Sequence, residues 1–247
     1  MVTGTEGETT AEALWERVNR LSWYHAIELE PGRLTPGWFD LREYVHHYGL
    51  PERMDGMRAL DIGTWDGWWA FEMERRGAEG VALDLDDERD LDWPPRRRPK
   101  EFSPEPRGAG FRLAREALGS QVERVNMSIY HATPEELGTF DFIFCGSVLI
   151  HLRDQFLALE RIAGLCTGTF VSAEEYDWAA SLLPFPVSRY RVDRDSDIVF
   201  WQPAKKTWKR MLWSAGFDRV EEYGTFTLRP RDRSFKVRHV VLHAHKL

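Results

Sequence analysis

Long apolar runs are missing from this chain; none approaches bilayer-crossing length, which argues against a membrane-spanning protein. Cysteine is scarce. The two residues, Cys145 and Cys166, stand in apolar, strand-like segments without metal-ligand spacing, so buried free thiols are expected rather than a disulfide scaffold or a metal site. Met1 to Thr10 is polar and lacks the basic-then-apolar order of a secretory leader, so the expected compartment is the reducing cytoplasm. Positive charge is also short. A net charge of −7 disfavours a nucleic-acid partner, whose phosphate backbone calls for a basic face. Lysine supplies only six of the 33 basic residues, a usage that hints at a GC-rich bacterial genome. The basic cluster Arg96-Arg97-Arg98-Pro99-Lys100 lies in a proline-rich stretch and reads as a solvated loop.

What is present is 247 residues with 43% apolar side chains, enough for one large domain, with or without an N-terminal extension. Thr9 or Thr10 can cap a helix through about Ser22 that shows Leu14, Trp15, Val18 and Leu21 on one face. Pro31-Gly32 and Pro36-Gly37 punctuate an aromatic loop, and a helix over Leu41–Tyr48 is expected to end at Gly49. Ala59–Ile62, Gly80–Leu85, Val122–Met127, Phe140–Cys145 and Thr167–Ala173 read as strands. Helices over Asp66–Arg76, Phe111–Leu118 and Arg153–Leu165 alternate with them, while the prolines between Asp86 and Gly110 make that interval a loop. A last helix covers Ala204–Ala215. Phe217–Tyr223 and Val237–His245 then alternate as a hairpin that turns through Thr225–Arg233.

Strand–helix alternation closed by two consecutive strands predicts a Rossmann-like, doubly wound α/β sheet of seven strands with a C-terminal antiparallel hairpin. That tail is characteristic of class I methyltransferases. Residues 1–50 are expected to form a helical, aromatic lid segment and 51–247 the methyltransferase domain.

The chemistry centres on Arg58-Ala59-Leu60-Asp61-Ile62-Gly63-Thr64-Trp65-Asp66-Gly67-Trp68-Trp69, a buried strand, a glycine turn and a helix start. Roughly twenty residues on, Val81-Ala82-Leu83-Asp84 ends a second strand in a carboxylate, the arrangement that grips a ribose diol. A dinucleotide fingerprint would place glycines where Trp65 and Trp68 stand, and two indoles there block a pyrophosphate. S-Adenosylmethionine carries no phosphate, only a cationic amino-acid tail and a sulfonium. It is therefore the expected cofactor, with Asp61 and Asp66 near its tail beside Gly63 and Thr64. Asp84, followed by Leu85, should hold the ribose hydroxyls. Ser128, Ile129 and Tyr130 should frame the adenine. Cys145, Gly146 and Ser147 fall where the reactive end lies, with Gly146 allowing close backbone approach. Tyr24 completes this set.

The resemblance extends past the glycine turn. Trp23-Tyr24-His25, Ile27-Glu28-Leu29, Thr35-Pro36-Gly37 and Phe39-Asp40-Leu41-Arg42 are followed by Ser128-Ile129-Tyr130, Val148-Leu149-Ile150-His151-Leu152, Val199-Phe200-Trp201-Gln202-Pro203 and Ala215-Gly216-Phe217. In these words, spread over most of residues 20 to 220, the chain resembles the methyltransferase family related to the tRNA wobble-uridine carboxymethyltransferases, especially its shorter members acting on small molecules or sugars. In the carboxymethylating branch a lysine near the N-terminal segment and a tyrosine after the fourth strand hold an extra donor carboxylate. Here no lysine lies between Leu21 and Met57, and Ile150 precedes His151, so the resemblance implies the ordinary methyl donor. The long basic extension that would grip a tRNA is also absent.

Methyl transfer needs an aligned, desolvated acceptor and, for a hydroxyl, a base. His151, after the fourth strand, is the first candidate base by position, although a histidine that orients the loop reads nearly as well. His25 and Glu174 are alternatives. Glu175, Trp23, Trp38, Trp178 and Trp201 are the candidate acceptor contacts, the indoles forming a lid over the strand ends; no metal is expected. The expected function is O-methylation of a sugar or natural-product scaffold in bacterial specialised metabolism. A tRNA wobble-uridine methyltransferase and a silent, donor-binding protein are the alternatives.

Overall fold

The computed structural model describes residues 5–192 and 198–247, with side chains described from residue 12 onward. Seven strands form one sheet: β1 (Arg58–Ile62), β2 (Glu79–Asp84), β3 (Glu123–Asn126), β4 (Phe140–Gly146), β5 (Cys166–Glu175), β6 (Arg219–Leu228) and β7 (Val237–His245). Their spatial order is β6-β7-β5-β4-β1-β2-β3. The first five strands run parallel, with Leu60 opposite Val81 on one side and Ile143 on the other. The last two are antiparallel, with Val240 opposite Glu174. This is the architecture expected from the alternation of elements.

Among the described residues six α-helices accompany the sheet: α1 (Thr5–Arg20), α2 (Trp68–Arg75), α3 (Ala109–Leu118), α4 (Pro134–Leu137), α5 (Gln155–Leu165) and α6 (Lys205–Ser214). The central strands carry apolar residues in succession rather than alternation because both faces are covered. On one face Trp15, Trp23, Phe39, Trp69, Phe111 and Phe144 share a cluster; on the other, Phe170, Trp208 and Phe217 pack with Leu60, Ile143 and Leu159. Cys145 and Cys166 are buried free thiols on this framework, as anticipated. Among the described residues no helix is long and apolar enough to cross a membrane.

Three elements differ from expectation. The helix at the N-terminus is already under way at Thr5, ahead of the expected cap at Thr9 or Thr10. Leu41–Tyr48 is not one α-helix but two 3-10 turns, Leu41–Glu43 and Val45–His47. Tyr44, Val45, His46 and His47 are weak helix formers. Ring contacts of Tyr44 and His47 with Phe226, at 6.0 and 5.1 Å, hold the segment against β6 instead. β6 also continues to Leu228, because Thr225–Leu228 pair with Val237–Val240 and bury Phe226 and Leu228. The hairpin loop is therefore 229–236, later than expected.

Candidate active site

The parallel strands end together, and the residues that follow β1, β2, β4 and β5 meet at that edge. After β1 the chain turns through Gly63 at φ 71°, whose N–H donates to the Leu83 carbonyl at 2.8 Å. Trp65 follows in the left-handed region at φ 49°, unusual for a bulky side chain. Its N–H donates to Asp84 Oδ2 at 2.8 Å, and the Leu85 N–H donates to Asp84 Oδ1 at 2.7 Å. The carboxylate at the end of β2 thus holds the glycine turn in place. Each of its oxygens keeps a further lone pair for another donor.

The residues fit the nucleoside end of S-adenosylmethionine. Asp84 supplies an acceptor at the strand end, and the buried Thr64 hydroxyl on the same turn is directed toward the Asp61 carboxyl. Arg107, which the sequence did not single out, completes this corner. Its guanidinium lies 3.9 Å from Asp84 Oδ1 and 4.0 Å over the Trp65 ring, and its buried Nε has no partner. It comes from the proline-rich interval, where no periodicity marks one arginine among several. In the same interval, Arg97 donates to the Val192 carbonyl at 2.7 Å and Arg98 to the Arg89 carbonyl at 3.0 Å. Part of that basic cluster therefore ties loops together instead of being wholly solvated.

The other two acids of the turn face inward. Asp66 is fully buried: its Oδ2 accepts the Tyr24 and His25 N–H groups at 2.8 Å each, and its Oδ1 pairs with His25 Nδ1. The expected contact of Asp66 with a cationic tail is corrected by this geometry; it anchors the N-terminal segment. His25 is correspondingly locked in the interior. Asp61 accepts the Ala70 N–H at 3.2 Å, and burial raises its carboxyl to about 7. Tyr24 is placed edge-on to His25 and lies 5.3 Å from the Trp65 ring.

Ser128, Ile129 and Tyr130 do not present three free contacts. Ser128 Oγ accepts the Tyr130 N–H at 3.3 Å, and Ile129 is buried in the core. The Tyr130 hydroxyl donates to Asp92 at 2.5 Å and accepts the Asp154 N–H at 3.0 Å, bracing two loops. Burial raises its phenol above the ordinary range.

After β4, Ser147 adopts φ 57° and its N–H donates to the Ala173 carbonyl at 2.9 Å. Glu174 lies beneath this loop, fully buried. Its Oε1 accepts the Val148 and Leu149 N–H groups at 3.2 and 3.1 Å and the Cys145 thiol at 3.7 Å. Burial pushes Glu174 up to about 8 and the Cys145 thiol well above its usual value. Glu174 thus clasps the loop from below through Oε1, while its buried Oε2 has no hydrogen-bond partner. Gly146 continues β4, and a methyl group at Gly63 would come within 2.3 Å of Val148 Cγ2, so the two turns are in close apposition.

His151 ends the same loop. It is half-buried, with Nδ1 bonded to the Ile198 carbonyl. Ser147 Oγ lies 2.7 Å from Nε2 of His239, a second residue the sequence reading missed. Burial lowers His239 to about 4, so its imidazole is neutral. It sits on β7 opposite Glu175, and its position in the alternating final strand was the only available signal.

The tryptophans divide. Trp23 is 4% exposed and donates its indole N–H to the Val18 carbonyl at 2.9 Å, so it belongs to the core and not to a lid. Trp38, Trp178 and Trp201 are exposed, on separate segments, and make no ring contact with one another. Glu175 accepts the Gln202 side-chain amide at 2.6 Å, and Gln202 in turn accepts from Arg191 at 2.7 Å. Among the described residues no group of His, Cys, Asp and Glu side chains is arranged to hold a metal ion.

Comparison with known proteins agrees with this architecture. A family model described as a methyltransferase domain matches residues 39–222. The N-terminal domain of EvdMO1, solved with SAH bound, superposes with a TM-score of 0.64 over 96% of this chain and 97% of that one, at 16% identity. Magnesium protoporphyrin IX methyltransferase from Synechocystis PCC 6803, also with SAH, gives 0.52 over 78% and 76% at 15% identity. The 1,6-didemethyltoxoflavin-N1-methyltransferase of Burkholderia thailandensis gives 0.53 over 100% and 92% at 15% identity. No curated protein matches the sequence.

Proposed function

Because the chain belongs to this methyltransferase-domain family and is an S-adenosylmethionine-dependent enzyme of class I fold, we propose that it methylates a hydroxyl of a small molecule, a sugar or natural-product scaffold. The observation that carries the reading is His151 at the loop after β4. A carbonyl only accepts, so its bond with Ile198 places a proton on Nδ1 and sets which ring nitrogen, Nε2, can take up a proton. His25 is committed to Asp66 and Glu174 is buried beneath the loop, which favours His151 as the base.

When bound, the donor supplies a methyl carbon activated by positive sulfur. Asp84, with the Gly63–Trp65 turn it braces, holds the ribose. Ser147, fixed between Ala173 and His239, borders the reactive end. His151 would take the proton of the acceptor hydroxyl, and the donor would supply the methyl group, its sulfur leaving as the neutral thioether of S-adenosylhomocysteine. The segment around Tyr24 and His25 forms a wall of the site, pinned through Asp66, and Trp38, Trp178 and Trp201 border the acceptor. A neighbour solved in the presence of SAH and D-fucose, and another with bound 1,6-didemethyltoxoflavin, support a small-molecule acceptor.

Incubation with isotopically labelled donor and a panel of nucleoside-diphosphate sugars, aglycones and bulk tRNA tests the proposal. Label on a small-molecule hydroxyl is expected. Label only in tRNA, or in nothing, refutes it.

A further inference from the structure

The loop between β6 and β7 reads Arg229-Pro230-Arg231-Asp232-Arg233-Ser234-Phe235-Lys236, and Arg238 follows on β7. Five cations and one acid within residues 229–238 form a sharp local excess in a chain of net charge −7. All five cationic residues are exposed, and none forms a salt bridge among the described residues. The contrast is with Arg42, Arg75, Arg76 and Arg89, each of which has an acid at 2.8 Å or less. Arg231 acts on Asp40 only as a minor, more distant charge.

The loop is held in one shape. The Arg231 N–H donates to the Trp38 carbonyl at 2.7 Å, Asp232 Oδ1 accepts the Ser234 N–H at 3.0 Å, and Phe235 meets Phe39 edge-on at 6.0 Å. Between it and the N-terminal segment lies a groove of about 370 Å³ lined by Trp38, Pro230, Arg231, Asp232 and Phe235. Trp38 and Phe235 are 62% and 48% exposed, an unusual outlay of ring surface. His239 pairs with Glu175 at the end of β5, so the loop rises from the edge of the sheet that carries the donor turn. Trp38 is 6.1 Å from Tyr24, and Tyr24 is 5.3 Å from Trp65, whose N–H is on Asp84.

Resting on the methyl-transfer reading above, we propose that this groove is the acceptor subsite and that the acceptor is a phosphorylated ring. Its apolar face stacks on Trp38 or Phe235, and its phosphoryl group meets Arg231, which lines the groove beside Asp232, within the field of Arg229 and Arg233 on the same exposed loop. Guanidinium groups that outnumber the single acid of their loop repel one another, and a group carrying two or more negative charges relieves that repulsion with charge-assisted, often bidentate hydrogen bonds. One carboxylate would offset only one of them. The groove's volume is that of a small-ligand site, and the basic surface is confined to one loop of an acidic chain, which favours a small molecule over nucleic acid. A sugar phosphate and a nucleoside-diphosphate sugar share this chemistry.

Calorimetric titration of the full chain, saturated with S-adenosylhomocysteine, separates the sources. The probes are glucose, glucose 1-phosphate, uridine diphosphate glucose and a short single-stranded RNA. At least one phosphorylated probe is expected to bind at least about tenfold tighter than glucose, with the advantage shrinking as salt rises. Whichever of the two binds more tightly identifies the source. In R231E/R233E that advantage should be lost, while S-adenosylhomocysteine affinity stays within about twofold; Trp38→Ala should weaken the sugar probes without abolishing their dependence on phosphate. R229A/R231A, milder in charge, serves as the second variant, with melting curves confirming the fold. Phosphorylated probes that bind no tighter than glucose, that bind equally to the charge-reversed variant, or that are outcompeted by RNA overturn the proposal. Failure of the unaltered chain to bind S-adenosylhomocysteine would instead count against the donor reading.

Discussion

Asp84→Asn and Asp84→Ala, taken together, probe the donor site most directly. The carboxylate accepts two backbone N–H groups at 2.8 and 2.7 Å and faces the Arg107 guanidinium at 3.9 Å. Asparagine retains one oxygen for the Trp65 N–H but loses the charge that strengthens bonds to ribose hydroxyls. One charge-assisted hydrogen bond reduced to a neutral one costs about 1.4 kcal/mol, or about tenfold in affinity. Alanine removes every acceptor, so the donor should bind at least about tenfold more weakly, and about a hundredfold if both hydroxyls are held. Alanine also leaves the half-buried Trp65 N–H without its acceptor, which should lower stability by about 1 kcal/mol. Calorimetric titration with S-adenosylhomocysteine, paired with thermal melting, reads both effects. An Asp84→Ala protein that melts near the parent temperature and binds the ligand equally well would refute the ribose assignment.

His151→Ala should cut turnover by about 10² with donor affinity nearly unchanged, read by steady-state rates and calorimetry; equal losses in both would make His151 a loop-positioning residue. For Glu174, the folded-state carboxyl is raised to about 8, so it is protonated in the folded chain and ionised in the unfolded one over the interval from its ordinary value up to that point. Its contribution is fully present below the ordinary carboxylate pKa and is lost as pH rises to about 8. Glu174→Gln keeps an oxygen for the Val148 and Leu149 N–H groups, so melting temperatures between about pH 5 and about pH 8 should fall less steeply in the variant than in the parent; parallel slopes would contradict the assignment. Gly37→Ala should destabilise by about 2 kcal/mol or more in chemical denaturation, because its Cβ would lie 2.0 Å from the His25 carbonyl carbon and backbone cannot rotate aside; a parent-like midpoint would contradict that packing.

The candidate site was only partly readable before folding. Gly63 and Asp84 announced themselves because a glycine turn and a strand-ending acid recur at fixed spacing within one βαβ unit. Asp66 misled because the same spacing is compatible with a ligand contact or with a buried anchor for Tyr24 and His25, segments 41 and 42 positions away. Trp23 and Trp38 belong to one aromatic loop, yet one is core and the other rim. Composition alone cannot sort them.

What the chain determined unaided was its alternation of strands and helices, its closing hairpin and the glycine turn that faces the acid ending β2, all set by local periodicity and turn chemistry. What only the tertiary structure decided was which polar groups find each other across the sheet. Asp66 is consumed by the N-terminal segment, Glu174 by the loop above it, and Ser147 by His239 on the final strand. Arg107 reaches Asp84 from a loop without periodicity, and the basic turn at 229–236 meets Trp38 from the far end of the sequence. Such pairings depend on desolvation and on distance in space, and neither is encoded in the spacing of neighbouring residues.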